Sequence, residues 1–169
     1  MKSLSATSAA TLAPAATHKI QEFLAFQLGG QEYGIEILRV QEIRSFDQPL
    51  RIANAPTHLL GMLNLRGVIV PIIDLRLHFG LSDPAYDALT VVIVVQCEGR
   101  TLGVVVDAVS DVISLGGEQL RDLPAFSAAV PNDHLVAIGT LGDRTFTLLD
   151  IDRLLANPSI GLAHGAAVH

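Results

Sequence analysis

The chain has 169 residues, half of them hydrophobic and 17% charged, which is enough apolar mass for a real core. Its 11 Lys and Arg against 17 Asp and Glu give a formal charge of −6, with the basic residues scattered singly; several phosphates could not be neutralised at once, which argues against nucleic acid as a partner. The longest uninterrupted apolar stretches, such as Val91 to Val95, fall far short of the roughly 20 residues that cross a bilayer as a helix, and the lone Cys97 fits a reducing, cytoplasmic setting.

Residues 1–18 are rich in Ser, Ala and Thr without a continuous apolar stretch of signal-peptide length, and read as a disordered leader. The main feature thereafter is an internal repeat. Glu22 to Ile43 superposes on Val91 to Val112 at an offset of 69, so that Tyr33-Gly34 falls on Leu102-Gly103. Leu65 to Leu75 superposes on Leu141 to Ile151 at an offset of 76, which leaves seven extra residues inside the second copy. Within each copy, short apolar runs flank two-residue turns at Gly29-Gly30, Arg66-Gly67, Glu98-Gly99 and Gly142-Asp143, where Gly accepts the positive φ of hairpin turns. Each copy is therefore expected to be a small antiparallel sheet that curls into a barrel. Short helical turns are predicted at Pro56 to Leu60, stopped by Gly61, and after Asp74 and Asp150. The expected architecture is mainly β: a first barrel over 19–84, a second over 85–156, packed on each other through an apolar seam, and a flexible tail over 157–169. The first strand is free to cross to the other barrel.

Chemistry-bearing motifs are few. Of the six histidines, none is paired at i, i+4, and no metal site or cofactor is expected. The strongest enzymatic lead is Asp74 with Asp150, equivalent positions that could form a shared dyad; the following Leu75-Arg76 and Ile151-Asp152 instead suggest that each carboxylate caps the helical turn after it. A third possibility is a ligand-binding barrel with a deep apolar pocket. Arg66 stands out because its hairpin counterpart is Gly142, so the turn does not require it, and a guanidinium at a rigid tip is placed to grip a partner. Glu42 and its counterpart Asp111 are acids on strands; simple alternation puts Val40 on the face of Glu42 and Val109 on that of Asp111.

The run FQLGGQEYGIEILRVQEIRSFDQPLRIANAP, then LGMLNLRGVIVPIIDLR, TVVIVV, GVVVDAVSDV and LGDR before an apolar strand, closely resembles the CheW family, the coupling proteins of bacterial chemotaxis. The likeness runs from about Gln21 to Leu155. It implies two tandem SH3-like five-stranded barrels in a cytoplasmic, non-catalytic adaptor without cofactor. The implied partners are the cytoplasmic hairpin tip of a chemoreceptor, the regulatory domain of the histidine kinase CheA, and other CheW copies in membrane-associated arrays. The receptor-facing positions matched by the family are Val40, Glu42, Ile43, Arg66, Val109 and Val112. Kinase or array contacts fall on Gly61, Arg121 and Phe126, the last two within the insertion of the second copy. The chain is too short to carry the kinase core of CheA.

Overall fold

The computed structural model describes residues 20–81, 84–97, 99–122 and 135–156. Among them lie eleven strands and two short helices: β1 (Gln21–Leu28), β2 (Gln31–Glu36), β3 (Val40–Ser45), β4 (Leu59–Leu65), β5 (Val68–Asp74), α1 (Leu75–His78), β6 (Val91–Cys97), β7 (Arg100–Val106), β8 (Ala108–Leu115), β9 (Leu120–Asp122), β10 (Leu135–Leu141), β11 (Arg144–Leu149) and α2 (Ile151–Ala156). The expected leader and tail, Phe126, Pro124, His134 and the proposed boundary residues Ser82 and Asp83 lie outside the described residues.

Two sheets form, in the orders β8-β1-β2-β11-β10-β9 and β3-β6-β7-β5-β4. Neither is the product of one repeat. The β1–β2 hairpin of the first copy sits between strands of the second, and the β6–β7 hairpin of the second sits between strands of the first. Substituting each strand by its repeat equivalent converts one order into the other, apart from β9, which comes with the insertion. Segments 19–84 and 85–156 therefore each contribute to both sheets. The expected self-contained antiparallel sheets are corrected accordingly: each sheet contains one parallel pair, where the halves meet.

Those parallel pairs share one register. Gly34 on β2 lies opposite Leu148 on β11, and Gly103 on β7 lies opposite Ile72 on β5. A Cβ on Gly34 would stand 2.9 Å from Leu148 Cδ2, and one on Gly103 would stand 2.6 Å from Ile72 Cδ1. Glycine is thus needed at both positions for close approach, not for a turn.

Three apolar clusters follow from the alternation along these strands. Phe23, Ala25, Ile113, Leu115, Phe146 and Leu148 fill the first sheet's concave side, and Leu65, Val70, Ile72, Val92, Val94 and Val105 fill the second's. The largest cluster joins the sheets through Leu24, Phe26 and Leu28 on one side and Ile93, Val95 and Val104 on the other. Each such side chain, fully buried, contributes about 1.5–3 kcal/mol, so this seam and not either barrel alone dominates stability.

Both Asp-led helical turns are present. Asp74 accepts from Arg76 N at 2.9 Å, and Asp150 accepts from Asp152 N at 2.9 Å and Arg153 N at 3.2 Å. At Pro56 to Leu60 only a single hydrogen-bonded turn forms, Leu59 N donating to Pro56 O at 3.0 Å, and it does not run on as a helix: Leu59 already opens β4, and Gly61 is a strand residue with φ +149°. A bulge between Leu59 and Gly61 and the close backbone of Leu50 explain the glycine, since a Cβ there would collide with the Leu50 carbonyl.

The seam argument predicts that Gly103→Ala lowers stability by about 1–3 kcal/mol in urea denaturation, as expected for overpacking, and that Ile72→Val in the same chain restores part of it. A Gly103→Ala chain as stable as the parent would contradict the close approach of β5 and β7.

Candidate functional site: the edge strands beside the seam

The site positions are carried by β3 and β8, which are repeat equivalents and edge strands of their respective sheets. Both contain a bulge at the same repeat position. Val40 lies opposite Val95 and Glu42 opposite Val94, leaving Gln41 as the extra residue; Val109 lies opposite Phe26 and Asp111 opposite Ala25, leaving Ser110. Neighbouring residues of the partner strand point to opposite faces. The bulges therefore put Val40 and Glu42 on opposite faces, and likewise Val109 and Asp111, which corrects the simple alternation.

The result is a sorted pair of strands. Val40 and Ile43 share the seam-side face of β3, opposite Val95 and Ile93; Val109 and Val112 share the seam-side face of β8, opposite Phe26 and Leu24. Val40 and Val109 are half-buried and pack on the central cluster. Ile43 and Val112 are 44% and 51% exposed, branched aliphatics left in solvent at matching places. The acids lie on the opposite faces, Glu42 opposite Val94 and Asp111 opposite Ala25, with their carboxylates at the solvent-accessible rim.

There each acid meets an arginine from across its sheet, Arg66 from beside the opposite edge strand β4 and Arg144 from the inner strand β11. Arg66 Nη2, at the tip of the β4–β5 hairpin, donates to Glu42 Oε2 at 2.9 Å. Arg144, the first residue of β11, is a fork between two carboxylates: Nε and Nη2 reach Glu32 at 3.1 and 2.8 Å, and Nη1 and Nη2 reach Asp111 at 3.1 and 2.9 Å. Its guanidinium also covers the Phe146 ring at 4.8 Å. Because Glu42 and Asp111 stand on edge strands, these contacts tie each edge to residues at or beside a strand three places away in the same curled sheet. The hydrogen bond from Arg66 holds the Glu42 carboxyl below the usual range, and that from Arg144 does the same for Asp111. A depressed folded-state pKa means that both clasps persist at neutral pH and are lost only as pH falls through it.

The two clasps differ. Arg66 is 64% exposed and sits at φ +54°, a left-handed conformation that a side chain with a Cβ adopts at a cost. It also borders a cleft of about 260 Å³ with Gln41, Leu65, Val68, Gln96 and Thr101. Sequence reasoning missed Arg144, whose repeat equivalent is the exposed Val68; a lone cation where the other copy carries a valine was the available signal.

The remaining positions are not gathered here. Gly61 is buried in β4 against the Leu50 backbone, Arg121 is exposed on β9 at the far edge of the other sheet, and Phe126 is outside the described residues. Asp74 and Asp150 form no dyad. Asp74 is held by Arg76 at 3.0 Å and by the Tyr86 hydroxyl at 2.6 Å, Asp150 by its own helix. Among the described residues no group of three or more His, Cys, Asp or Glu is arranged to hold a metal ion.

Residues 22–159 match the family of CheW-like domains. A chemotaxis protein CheW from Klebsiella aerogenes is 51% identical over 147 residues, covering 87% of this chain and 89% of that one. One from Bacillus subtilis is 28% identical over 131 residues, covering 78% and 82%. The crystal structure of scaffolding protein TtCheW from Thermoanaerobacter tengcongensis superposes with a TM-score of 0.73 at 26% identity, over 78% of this chain and 90% of that one.

The strained tip gives a direct expectation. Arg66→Gly and Arg66→Ala both delete the clasp, but only glycine relieves the left-handed φ, so the glycine variant is expected to melt at the higher temperature. Equal melting, or a lower value for Arg66→Gly, would show that the turn stores no strain.

Proposed function

Because the chain belongs to the CheW-like domain family, we propose that it is a non-catalytic adaptor of bacterial chemotaxis that couples the cytoplasmic tip of chemoreceptors to the regulatory domain of the histidine kinase CheA. The observation that carries this reading is the matched exposure of Ile43 and Val112 on the seam-side faces of two bulged edge strands, which the fold does not require. A chemoreceptor tip is a helical hairpin with an apolar stripe, and two aliphatic edges with Glu42 and Arg66 nearby suit helix-in-groove recognition. Val40 and Val109 form its floor and link partner contact to the central core. The strain kept at Arg66 supports a binding role, since glycine would make the turn at lower cost.

Kinase and array contacts are assigned to Gly61, Arg121 and Phe126. Gly61 acts there by admitting the Leu50 backbone, so substitutions at Gly61 reach a partner through the displaced 46–52 segment. The adaptor works in the cytoplasm, held at membrane arrays by protein contacts and by other copies of itself; among the described residues no helix is long and apolar enough to cross a membrane. Individual contacts of this kind are modest, near the micromolar range or about 8 kcal/mol, and array assembly multiplies them.

Calorimetric titration with a receptor-tip hairpin fragment tests the reading. Val112→Asp and Ile43→Asp are each expected to weaken binding by roughly tenfold or more while melting changes little, because both side chains face solvent. Val109→Asp, placed on the core, is expected to lower melting as well. Unchanged affinity in both Val112→Asp and Ile43→Asp would remove the edge strands from the site.

A further inference from the structure

The reciprocal exchange of hairpins relates the two halves by an approximate half-turn, since β2 pairs with β11 as β7 pairs with β5. That operation carries β3 onto β8, and with it Val40 onto Val109 and Ile43 onto Val112. A partner lying over the seam therefore meets nearly the same apolar surface in two opposite directions. Valine and isoleucine cannot choose between them. The side chains beyond each edge strand, on the face away from the seam, are not so matched.

Beyond β3, two guanidiniums face one carboxylate. Arg66 Nη2 donates to Glu42 Oε2 at 2.9 Å, Arg44 Nη1 stands 4.0 Å from the same oxygen, and neither arginine meets a second carboxylate among the described residues. Beyond β8, one guanidinium meets two carboxylates. Arg144 Nη2 is shared by Glu32 at 2.8 Å and Asp111 at 2.9 Å, and neither acid meets a second cation among the described residues. Asp143, exposed in the turn before Arg144, adds a further acid. The difference in sign is written into the repeat: the equivalents of Arg44 and Arg66 are Ile113 and Gly142, and those of Glu32 and Asp143 are Thr101 and Gly67. One rim is thus cationic and the other anionic, and Arg66 and Asp111 carry them into solvent.

We propose that these rims fix the direction in which a partner lies over the seam: the docked segment presents a carboxylate beyond β3, to Arg44 and Arg66, and a cation beyond β8, to Glu32 and Asp111. The proposal rests on the groove assigned to β3 and β8 and adds its polarity. Among the described residues only Nη2 of Arg66 is engaged, so its planar fork keeps donors for a second carboxylate. In the reversed direction each partner charge would lie against a rim of its own sign, which disfavours that direction. Charge thereby sets orientation, and the aliphatic edges supply adhesion.

A receptor-tip hairpin with a nitroxide label at one helix end, added to the full chain, reads the direction through broadening of its amide signals. The parent is expected to show broadening around Ile43 or around Val112, not both. Arg44→Gln with Glu32→Gln and Asp143→Asn balances each rim while keeping the Arg66–Glu42 and Arg144–Asp111 bonds. That triple variant is expected to broaden at both edges and to bind several-fold more weakly. Sodium chloride at about 1 M, where charges are screened within about 3 Å, is expected to do the same to the parent. Neutralising the hairpin's carboxylates one at a time is expected to find one whose loss is coupled to Arg66→Gln and not to Asp111→Asn. Broadening at both edges in the parent, one-sided broadening that survives the triple variant or the salt, or coupling to Asp111→Asn instead, overturns the proposal and leaves the groove standing. Shifts at neither Ile43 nor Val112 overturn the groove, and its polarity with it.

Discussion

The close parallel pairing of β2 with β11 and of β7 with β5 is the constraint on which the molecule depends. It is possible only because Gly34 and Gly103 have no Cβ to meet Leu148 and Ile72. Through it each half lends a hairpin to the other's sheet, so the two barrels share one apolar seam instead of closing on separate cores. The edge strands β3 and β8 then flank that seam at equivalent places. A site built from both edges is as rigid as the seam between them.

Polar contacts pin this exchange at its corners. Asp107, between β7 and β8, accepts from Arg76 and from Gly29 N at 2.8 Å, tying α1 of one sheet to the β1–β2 turn of the other. Arg76 is nearly inaccessible, and burial alone would favour its neutral form; the hydrogen bonds it donates to Asp74 and Asp107 outweigh that penalty and keep it charged. Burial and the Asp74 carboxylate together push the Tyr86 hydroxyl up to about 12, so it remains a proton donor to Asp74 at physiological pH. In the second half Asp150 accepts from the amides of Asp152 and Arg153. The Arg144 fork there bonds β2 and β8 at once.

Much of this was legible in the residues. The repeat, the two-residue turns, the mainly β fold and the capping carboxylates at Asp74 and Asp150 all follow from local rules of spacing and turn chemistry. The exchange of hairpins does not, because a strand's pattern records how many faces are buried and not which neighbour buries them. The bulges at Gln41 and Ser110 were equally silent: one extra residue reverses the face of Glu42 relative to Val40 without altering the sequence pattern. Gly61 was misread as a helix stop since its cause is the Leu50 backbone, distant in the local pattern. Arg66 could be singled out against Gly142, but its left-handed φ and its bond to Glu42 are tertiary facts. Arg76, Arg144 and Asp107 act over separations of up to 112 residues, beyond any local signal.

The central claim is that β3 and β8 jointly form one partner surface across the shared seam. Amide hydrogen exchange of the full chain with and without a receptor-tip hairpin tests it most directly. The account predicts that binding slows exchange at the edge-strand amides around Ile43 and around Val112 together, in the same concentration range, with the hairpin turns at Gly99 and Gly142 unaffected. Protection confined to one of the two strands, or falling on neither, would contradict a groove built from both halves.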